Sequence, residues 1–216
     1  MQKIITLLFI VILSACSRQQ YDVIIKNGMV YDGNGGAAFK ADIAIKGDTI
    51  AFIGDGSKIT AKKNIDAKGM AVSPGFINML SWAPTSLMID GNSQGDIRQG
   101  VTLEVFGEGG SMGPLNAKMK QQMIDDQTGP LKLPVAWNTL GEYMHYMEKK
   151  GISCNIASFV GATTIRENVI GEDNRAPTEK ELQQMQALVK QAMEEGALGV
   201  GSSLIYPPAF FAKTDE

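Results

Sequence analysis

Apolar and polar residues follow two different rhythms along the chain, and the first is that of a β-meander. From Tyr21 to Asp66, short β-prone runs alternate with turn residues such as Asn27-Gly28 and Gly47-Asp48. This pattern predicts five strands, at 22–25, 29–31, 42–45, 49–53 and 64–67. A meander of such short strands buries little apolar surface alone, so we expect it to pack against a further layer.

The second rhythm begins after Ser73 and consists of strand, loop and helix. Two segments carry the capping-box pattern that starts a helix, Thr139 with Glu142 and Thr178 with Glu181. Alternating strands and helices are typical of a parallel sheet, so the order favours an α/β fold with a (β/α) barrel. The pattern predicts strands at 71–77, 101–106, 153–160 and 197–202, and an extra amphipathic helix at 116–128.

Four strands are half the number that closes a (β/α)8 TIM-like barrel. The last four residues, Lys213-Thr214-Asp215-Glu216, have the pattern of an N-cap followed by an acidic first turn, which opens a helix. A half barrel leaves strand edges and an apolar interior exposed. We therefore expect residues 71–216 to be the first half of a truncated barrel, and the chain to be part of a longer one. An inactive fragment is one of the alternatives.

Composition narrows the classes of partner. The chain has 216 residues, of which 44% are hydrophobic, which is enough for a substantial core. Its 20 basic and 23 acidic residues are nearly balanced, and no basic run occurs. Nucleic acid is therefore excluded as an expected partner. The oligomeric state stays open.

Residues 1–20 have the pattern of a targeting segment rather than of a fold. Lys3 precedes an apolar stretch from Ile4 to Leu13 that is too short to span a bilayer. Leu13-Ser14-Ala15-Cys16 resembles a bacterial lipobox, which predicts lipidation of Cys16 and a membrane anchor. Because Ser17 is not the Asp that often retains lipoproteins at the inner membrane, we expect the outer membrane, facing the periplasm. The alternative is an ordinary secretory signal with a chance cysteine.

Three sequence blocks are distinctive: Pro74-Gly75-Phe76-Ile77, Gly196-Ala197-Leu198-Gly199 and Leu204-Ile205-Tyr206-Pro207-Pro208-Ala209. The first is similar to the end of the first barrel strand in the amidohydrolase superfamily. The other two resemble blocks of the D-aminoacylase branch of that superfamily, the N-acyl-D-amino-acid deacylases. The resemblance covers residues 21–216. It implies a β-sandwich portion at 21–70, a barrel from 71, a small amide substrate and zinc.

The same resemblance identifies positions where zinc ligands are expected, and this chain departs from them. The branch has a His-x-His pair after the first strand, where this chain has Leu80 and Trp82. The cysteine of its second loop corresponds to Gly109, and a later histidine corresponds to Ala162. None of these four side chains can donate a lone pair to a metal.

Three other residues, and Trp82 itself, are candidates for the site. Glu108, on the Gly-rich loop, is either a metal ligand or a solvated loop carboxylate. Tyr206, which the resemblance assigns to the substrate carboxylate, either contacts substrate or packs at the rim. Trp82 is either an apolar pocket wall or a core residue. Arg166 either meets an acidic substrate or lies on the surface.

Three further residues are given structural roles. Glu104 is expected to be a paired structural charge on the same face of its strand as Glu108. Cys154 lies in an apolar run and is expected to be a small buried residue. His145, the one histidine in the sequence, is expected to face solvent. The function predicted is hydrolysis of C–N bonds other than peptide bonds through a metal-activated water. The alternative is a non-catalytic substrate-binding lipoprotein.

Overall fold

The computed structural model describes residues 21–128 and 132–216. The predicted signal segment and Cys16 lie outside these ranges. The chain divides into two compact units, of which the first ends at Pro74 and the second begins at Gly75. Over the two ranges described, no helix combines the length and the apolar character that crossing a membrane requires.

The first unit consists of strands. In chain order they are β1 (Tyr21–Lys26), β2 (Met29–Val30), β3 (Phe39–Lys40), β4 (Asp42–Lys46), β5 (Thr49–Gly54), β6 (Ala61–Asp66) and β7 (Ala71–Val72). They form one sheet in the order β5-β4-β1-β6 and another in the order β3-β2-β7. All five strands predicted by the meander pattern are present, and β3 and β7 are additional.

The core of this unit forms around the central strands β1 and β4. Ile24 and Ala44 are fully buried and pack with Tyr21. Burial of a large apolar side chain such as Ile24 stabilises a fold by roughly 1.5–3 kcal/mol. The unit therefore has a core of its own, although a small one.

The second unit alternates strands with helices. Its elements are β8 (Phe76–Asn78), α1 (Pro84–Ile89), α2 (Gln94–Ile97), β9 (Val101–Phe106), α3 (Ala117–Asp125), α4 (Leu140–Lys150), β10 (Asn155–Ser158), β11 (Val160–Gly161), α5 (Ala162–Val169), α6 (Glu179–Glu194), β12 (Val200–Gly201) and a 3-10 helix at Ala209–Phe211. Helices α4 and α6 begin at the predicted capping boxes of Thr139 and Thr178.

The strands of this unit form one parallel array. β8, β9 and β10 pair in parallel, and so do β11 and β12. Strands β10 and β11 are one extended segment around Phe159, whose N–H donates to the carbonyl of Phe106 at 2.9 Å. On its other side, the N–H of Leu198 donates to the carbonyl of Ser158 at 2.9 Å. The spatial order is therefore β8, β9, β10–β11, β12.

The predicted strand at 71–77 is wrong, because it joins two strands that belong to different units. Ala71 and Val72 pair with Met29 and Val30 in the first unit. Phe76 begins the pairing with β9 in the second unit. The boundary consequently lies between Pro74 and Gly75 rather than before Ala71.

Helices α1 and α4 and the segment before α4 cover one side of the array and form the main core. Trp137 is 2% exposed, and its ring lies edge-on to Tyr143 with the centroids 5.1 Å apart. Met147 is fully buried one helical turn further along α4. This arrangement follows from the apolar stripe of α4, whose members recur every three or four residues.

Candidate functional site

The C-terminal ends of the parallel strands meet at one edge of the second unit. Four segments lie there: 79–82 after β8, 107–110 after β9, Ala162 after β11 and 202–206 after β12. In (β/α) barrels this edge carries the active site, because the loops that follow the strands project there. We therefore treat these segments, called the rim below, as the candidate site.

The segment after β8 presents Leu80 and Trp82 to solvent. Ser81 between them is buried: its N–H donates to the carbonyl of Val105 at 2.9 Å, and its hydroxyl donates to Glu104 Oε2 at 2.5 Å. Leu80 and Trp82 are 52% and 72% exposed. The alternative of a core role for Trp82 is therefore wrong, and an apolar wall at the rim is compatible with its position.

Glu104, inside β9, is the centre of a polar cluster that links this strand to Ser81 after β8, to Ser93 before α2 and to Cys154 before β10. It is fully buried, and its Oε1 lies 3.2 Å from Ser93 Oγ and 3.3 Å from Cys154 Sγ. The expectation that Glu104 shares a face with Glu108 is wrong, because Glu108 is exposed. The carboxyl group of Glu104 instead positions Ser81, and through it the segment that carries Leu80 and Trp82.

Cys154 is buried, as expected. Burial, together with the hydrogen bond to Glu104, raises the pKa of its thiol to about 11. The thiolate is the nucleophilic form of cysteine, so this thiol is unreactive at neutral pH.

The Gly-rich loop at 107–110 lies directly against the backbone of neighbouring strands. Gly107 has φ +93°, and a Cβ added there would lie 2.1 Å from the carbonyl oxygen of Phe159. Gly109 has φ +78°, and its added Cβ would lie 2.8 Å from Ser203 Cβ. Residues with a side chain rarely adopt a positive φ, and a Cβ atom has no space at such short distances. Position 109 therefore does not accommodate a cysteine in this structure.

Hydrogen bonds hold this loop to the start of α5. The N–H of Thr163 donates to the carbonyl of Gly109 at 3.0 Å. The N–H of Ser111 donates to Thr164 Oγ1 at 2.8 Å, and Ser111 Oγ accepts from the N–H of Gly161 at 3.0 Å. Sequence reasoning missed Ser111 and Thr164, because a hydroxyl in a loop gives no signal of its distant partner.

Together, the rim residues do not fit a zinc centre. Among the residues that the structure describes, no group of three or more His, Cys, Asp or Glu is placed to hold a metal ion. Leu80, Trp82 and Ala162 offer only carbon or an indole N–H, and Glu108 is a single exposed carboxylate. A metal role for Glu108 remains a prediction.

Tyr206 and Arg166 differ sharply in accessibility. Tyr206 is 62% exposed, so its phenol is free to meet a ligand. The side chain of Arg166 is 1% exposed and forms an ion pair with Glu216. Its Nη2 donates to the carbonyls of Asp173 and Arg175 at 3.1 and 2.6 Å. The alternative of a surface arginine is therefore wrong, and this guanidinium is already engaged by protein groups.

Arg166 also lines a groove of about 520 Å³ between α5, α6 and the last segment of the chain. Ala162, Leu204 and Lys213 contribute to the same groove.

His145 lies on the exposed face of α4, 3.4 Å from Glu148, as expected.

Comparison with known proteins shows that the chain is similar to deacylases. No family model matches. The chain is 34% identical to an N-acyl-D-aspartate deacylase of Alcaligenes xylosoxydans xylosoxydans, over 91% of this chain and 39% of the relative. It is 31% identical to a D-aminoacylase of the same organism, over 94% and 42%. The chain therefore spans about two fifths of the length of these relatives.

Solved structures give the same result. The chain is similar to a D-aminoacylase with a binuclear metal centre, at a TM-score of 0.79 and 31% identity, over 90% of this chain and 41% of the other. An N-acyl-D-glutamate deacylase from Bordetella bronchiseptica, complexed with zinc and a phosphonate inhibitor, matches with the same TM-score at 28% identity and the same coverage. The fold of this chain is thus a β unit followed along the sequence by the first part of a TIM-type barrel.

Proposed function

From its homology to the D-aminoacylase amidohydrolases, we propose that this chain is part of a hydrolase that acts on the C–N bond of N-acyl amino acids. The relatives are a D-aminoacylase and deacylases of N-acyl-D-aspartate and N-acyl-D-glutamate. We therefore propose small N-acyl-D-amino acids as the substrate class. Hydrolysis adds water across the amide bond and yields a carboxylate and a free amine.

The rim supplies binding groups suited to such a molecule. Leu80 and Trp82 form an exposed apolar surface that suits the acyl chain, and burial of such a chain contributes about 0.8 kcal/mol per methylene. The exposed phenol of Tyr206 can donate a hydrogen bond to the substrate carboxylate. The single observation that carries the proposal is this pairing of apolar and hydrogen-bonding side chains at the rim of a deacylase-type fold.

The residues at the positions expected for metal ligands favour a second function. The positions that correspond to zinc ligands of the branch are Leu80, Trp82, Gly109 and Ala162, and Gly109 has no space for a side chain. A rim without ligands suits a protein that binds N-acyl amino acids and does not hydrolyse them. Anchoring at Cys16 to the outer membrane, facing the periplasm, belongs to both proposals.

One assay separates the two functions. The purified full chain is incubated with N-acetyl-D-aspartate, N-acetyl-D-glutamate and N-acetyl-D-leucine, with and without added zinc, and amine release is followed by fluorescence. The L-enantiomers are the matched controls. Hydrolysis of the D-forms alone supports the hydrolase. Binding by calorimetry without amine release supports the binding protein, and neither binding nor release refutes both.

Tyr206→Phe tests the proposed contact between the Tyr206 phenol and the substrate carboxylate, whether the protein hydrolyses its ligand or only binds it. Loss of one hydroxyl that binds the substrate carboxylate is expected to raise KM or Kd about tenfold, with little change in kcat. An unchanged Kd would show that Tyr206 does not contact the substrate.

The proposed lipid anchor is tested separately, by fractionation of cells that express the chain with or without Cys16→Ser. We expect the variant to be released from the membrane fraction.

A further inference from the structure

Two Asn-Gly pairs occur in the first unit, and the structure gives them opposite surroundings. They are Asn27-Gly28, between β1 and β2, and Asn34-Gly35, between β2 and β3. In such a pair the backbone nitrogen of the glycine can attack Cγ of the asparagine side chain, because glycine has no Cβ to hinder the approach. The rate of this attack depends on how freely the two residues can move toward each other.

The segment 31–38, which joins β2 to β3, leaves the Asn34-Gly35 pair free to move. Residues 31–37 are all exposed, and no backbone group of residues 32–38 hydrogen-bonds to another backbone group among the described residues. A Cβ added at Gly33, Gly35 or Gly36 would meet nothing within 4 Å. These glycines also make the backbone flexible through composition alone, whatever else of a longer chain lies nearby.

The side-chain amide of Asn34 is held only within its own segment. Its Nδ2 donates to Asp32 Oδ2 at 3.0 Å, and its backbone N–H donates to Asp32 Oδ1 at 3.0 Å. Both contacts are exposed and join residues two positions apart, so they move with the segment and tie it to no strand. Water replaces such exposed hydrogen bonds at little net cost in free energy.

Asn27, in contrast, is held by two strands. Its N–H donates to Oδ1 of Asp42, the first residue of β4, at 3.0 Å, and its Nδ2 donates to Oδ1 of Asp66, the last residue of β6, at 2.9 Å. Gly28 is buried, and a Cβ added there would lie 2.4 Å from Val72 Cγ2. The backbone of this pair is therefore packed in place, and its side-chain amide is fixed.

We propose that Asn34 is a site of spontaneous deamidation in the folded chain, whereas the fold protects Asn27. The Gly35 nitrogen attacks Asn34 Cγ and forms a C–N bond; the bond from Cγ to Nδ2 breaks, and the amide leaves as ammonia with the proton of Gly35. Water then opens the cyclic imide at either carbonyl group and yields aspartate or isoaspartate at position 34. The reaction depends on neither the hydrolase nor the binding function.

The product changes the charge of the segment. Position 34 becomes a carboxylate beside the carboxylate of Asp32, so repulsion replaces the hydrogen bond that Asn34 Nδ2 donates. Isoaspartate also inserts a methylene group into the backbone. Because the segment is tied to no strand, we expect these changes to stay local and to leave the sheets of the first unit intact.

Peptide mapping by mass spectrometry measures both rates in one sample. The full chain, in a mild detergent, is incubated at mildly alkaline pH, either folded or in urea, and fragmentation assigns each conversion to residue 27 or 34. A sample digested at time zero corrects for conversion during digestion. In the folded chain we expect Asn34 to convert about tenfold faster than Asn27 or more, because two hydrogen bonds of Asn27 must break first. In urea the two rates should become similar.

Gly35→Ala is the matched variant. Its methyl group hinders the attacking nitrogen, and it meets no atom within 4 Å, so the first unit is expected to keep its fold. We expect conversion of Asn34 to slow about tenfold and that of Asn27 to stay unchanged. Equal rates at the two sites in the folded chain, no conversion of Asn34 where the urea-unfolded chain converts, or undiminished conversion of Asn34 in Gly35→Ala would each overturn the proposal.

Discussion

Replacement of Glu104 by alanine is the perturbation whose magnitude the structure defines best. Three donors lie within reach of this buried carboxyl group: Ser81 Oγ at 2.5 Å, Ser93 Oγ at 3.2 Å and Cys154 Sγ at 3.3 Å. Ser93 also lies 2.9 Å from Asp96 and has one hydroxyl hydrogen to share. The variant therefore leaves one buried hydroxyl and one weak thiol donor without their acceptor.

The expected loss of stability follows from these contacts. A buried hydroxyl without its partner costs about 1–3 kcal/mol, and the cavity left by the removed side chain adds about 1 kcal/mol. We expect Glu104→Ala to lower the free energy of unfolding by about 3 kcal/mol, a large part of the stability of an ordinary domain. Glu104→Gln keeps the shape and one acceptor oxygen, so we expect a loss of about 1 kcal/mol.

Urea unfolding followed by circular dichroism measures both values, at one fixed protein concentration because association shifts apparent stability. Glu108→Ala is the matched control, since it removes the same side chain from an exposed position and is expected to change stability by less than about 0.5 kcal/mol. If Glu104→Ala were as mild as Glu108→Ala, the buried cluster would not be what holds the segments around Ser81 and Cys154 to β9.

Four further outcomes are expected. Gly109→Ala should lower the unfolding midpoint markedly, because its Cβ would lie 2.8 Å from Ser203 Cβ at positive φ; an unchanged midpoint would contradict the close packing of the loop. The native Cys154 thiol should react with a thiol reagent only slowly at pH 8, whereas the urea-unfolded chain should react at once; equal rates would contradict its burial. Burial raises the pKa of this thiol to about 11 from an ordinary 9.0, so the folded state keeps its proton to higher pH than the unfolded state does. The free energy of unfolding should therefore fall as pH rises from 9 to 11, and Cys154→Ala should weaken this trend. Arg166→Met should destabilise the chain by about 3–5 kcal/mol in the same urea assay, because it leaves the nearly buried Glu216 without its ion pair; a loss below 1 kcal/mol would mean that water replaces that contact.

Local signals in the sequence were sufficient to predict the helices that begin at a capping box. Thr139 and Thr178 each have a glutamate three residues later, and both capping boxes are present in the structure. The order of strands and helices was likewise enough for the α/β fold. The apolar run at 71–77 failed because such a run contains no information about which strand it pairs with.

The site was harder to predict, for two physical reasons. Alternation along β9 cannot be extended to Glu108, because Gly107 at φ +93° ends the pleat and turns the chain. The burial of Arg166 depends on Glu216, fifty residues further along, and no local pattern reports such a contact. What could be recognised was the set of unusual residues at the rim, Leu80 and Trp82 above all.

The contact between Gly109 and Ser203 constrains the order in which this surface can change over evolutionary time. The Cβ of a cysteine introduced at position 109 would lie 2.8 Å from the Cβ of Ser203, so we expect this substitution to destabilise the loop while a serine stands there. Ser203→Gly would remove the obstructing atom and would have to come first. A sulfur ligand at this loop would thus need two ordered mutations, the first of which brings no ligand by itself.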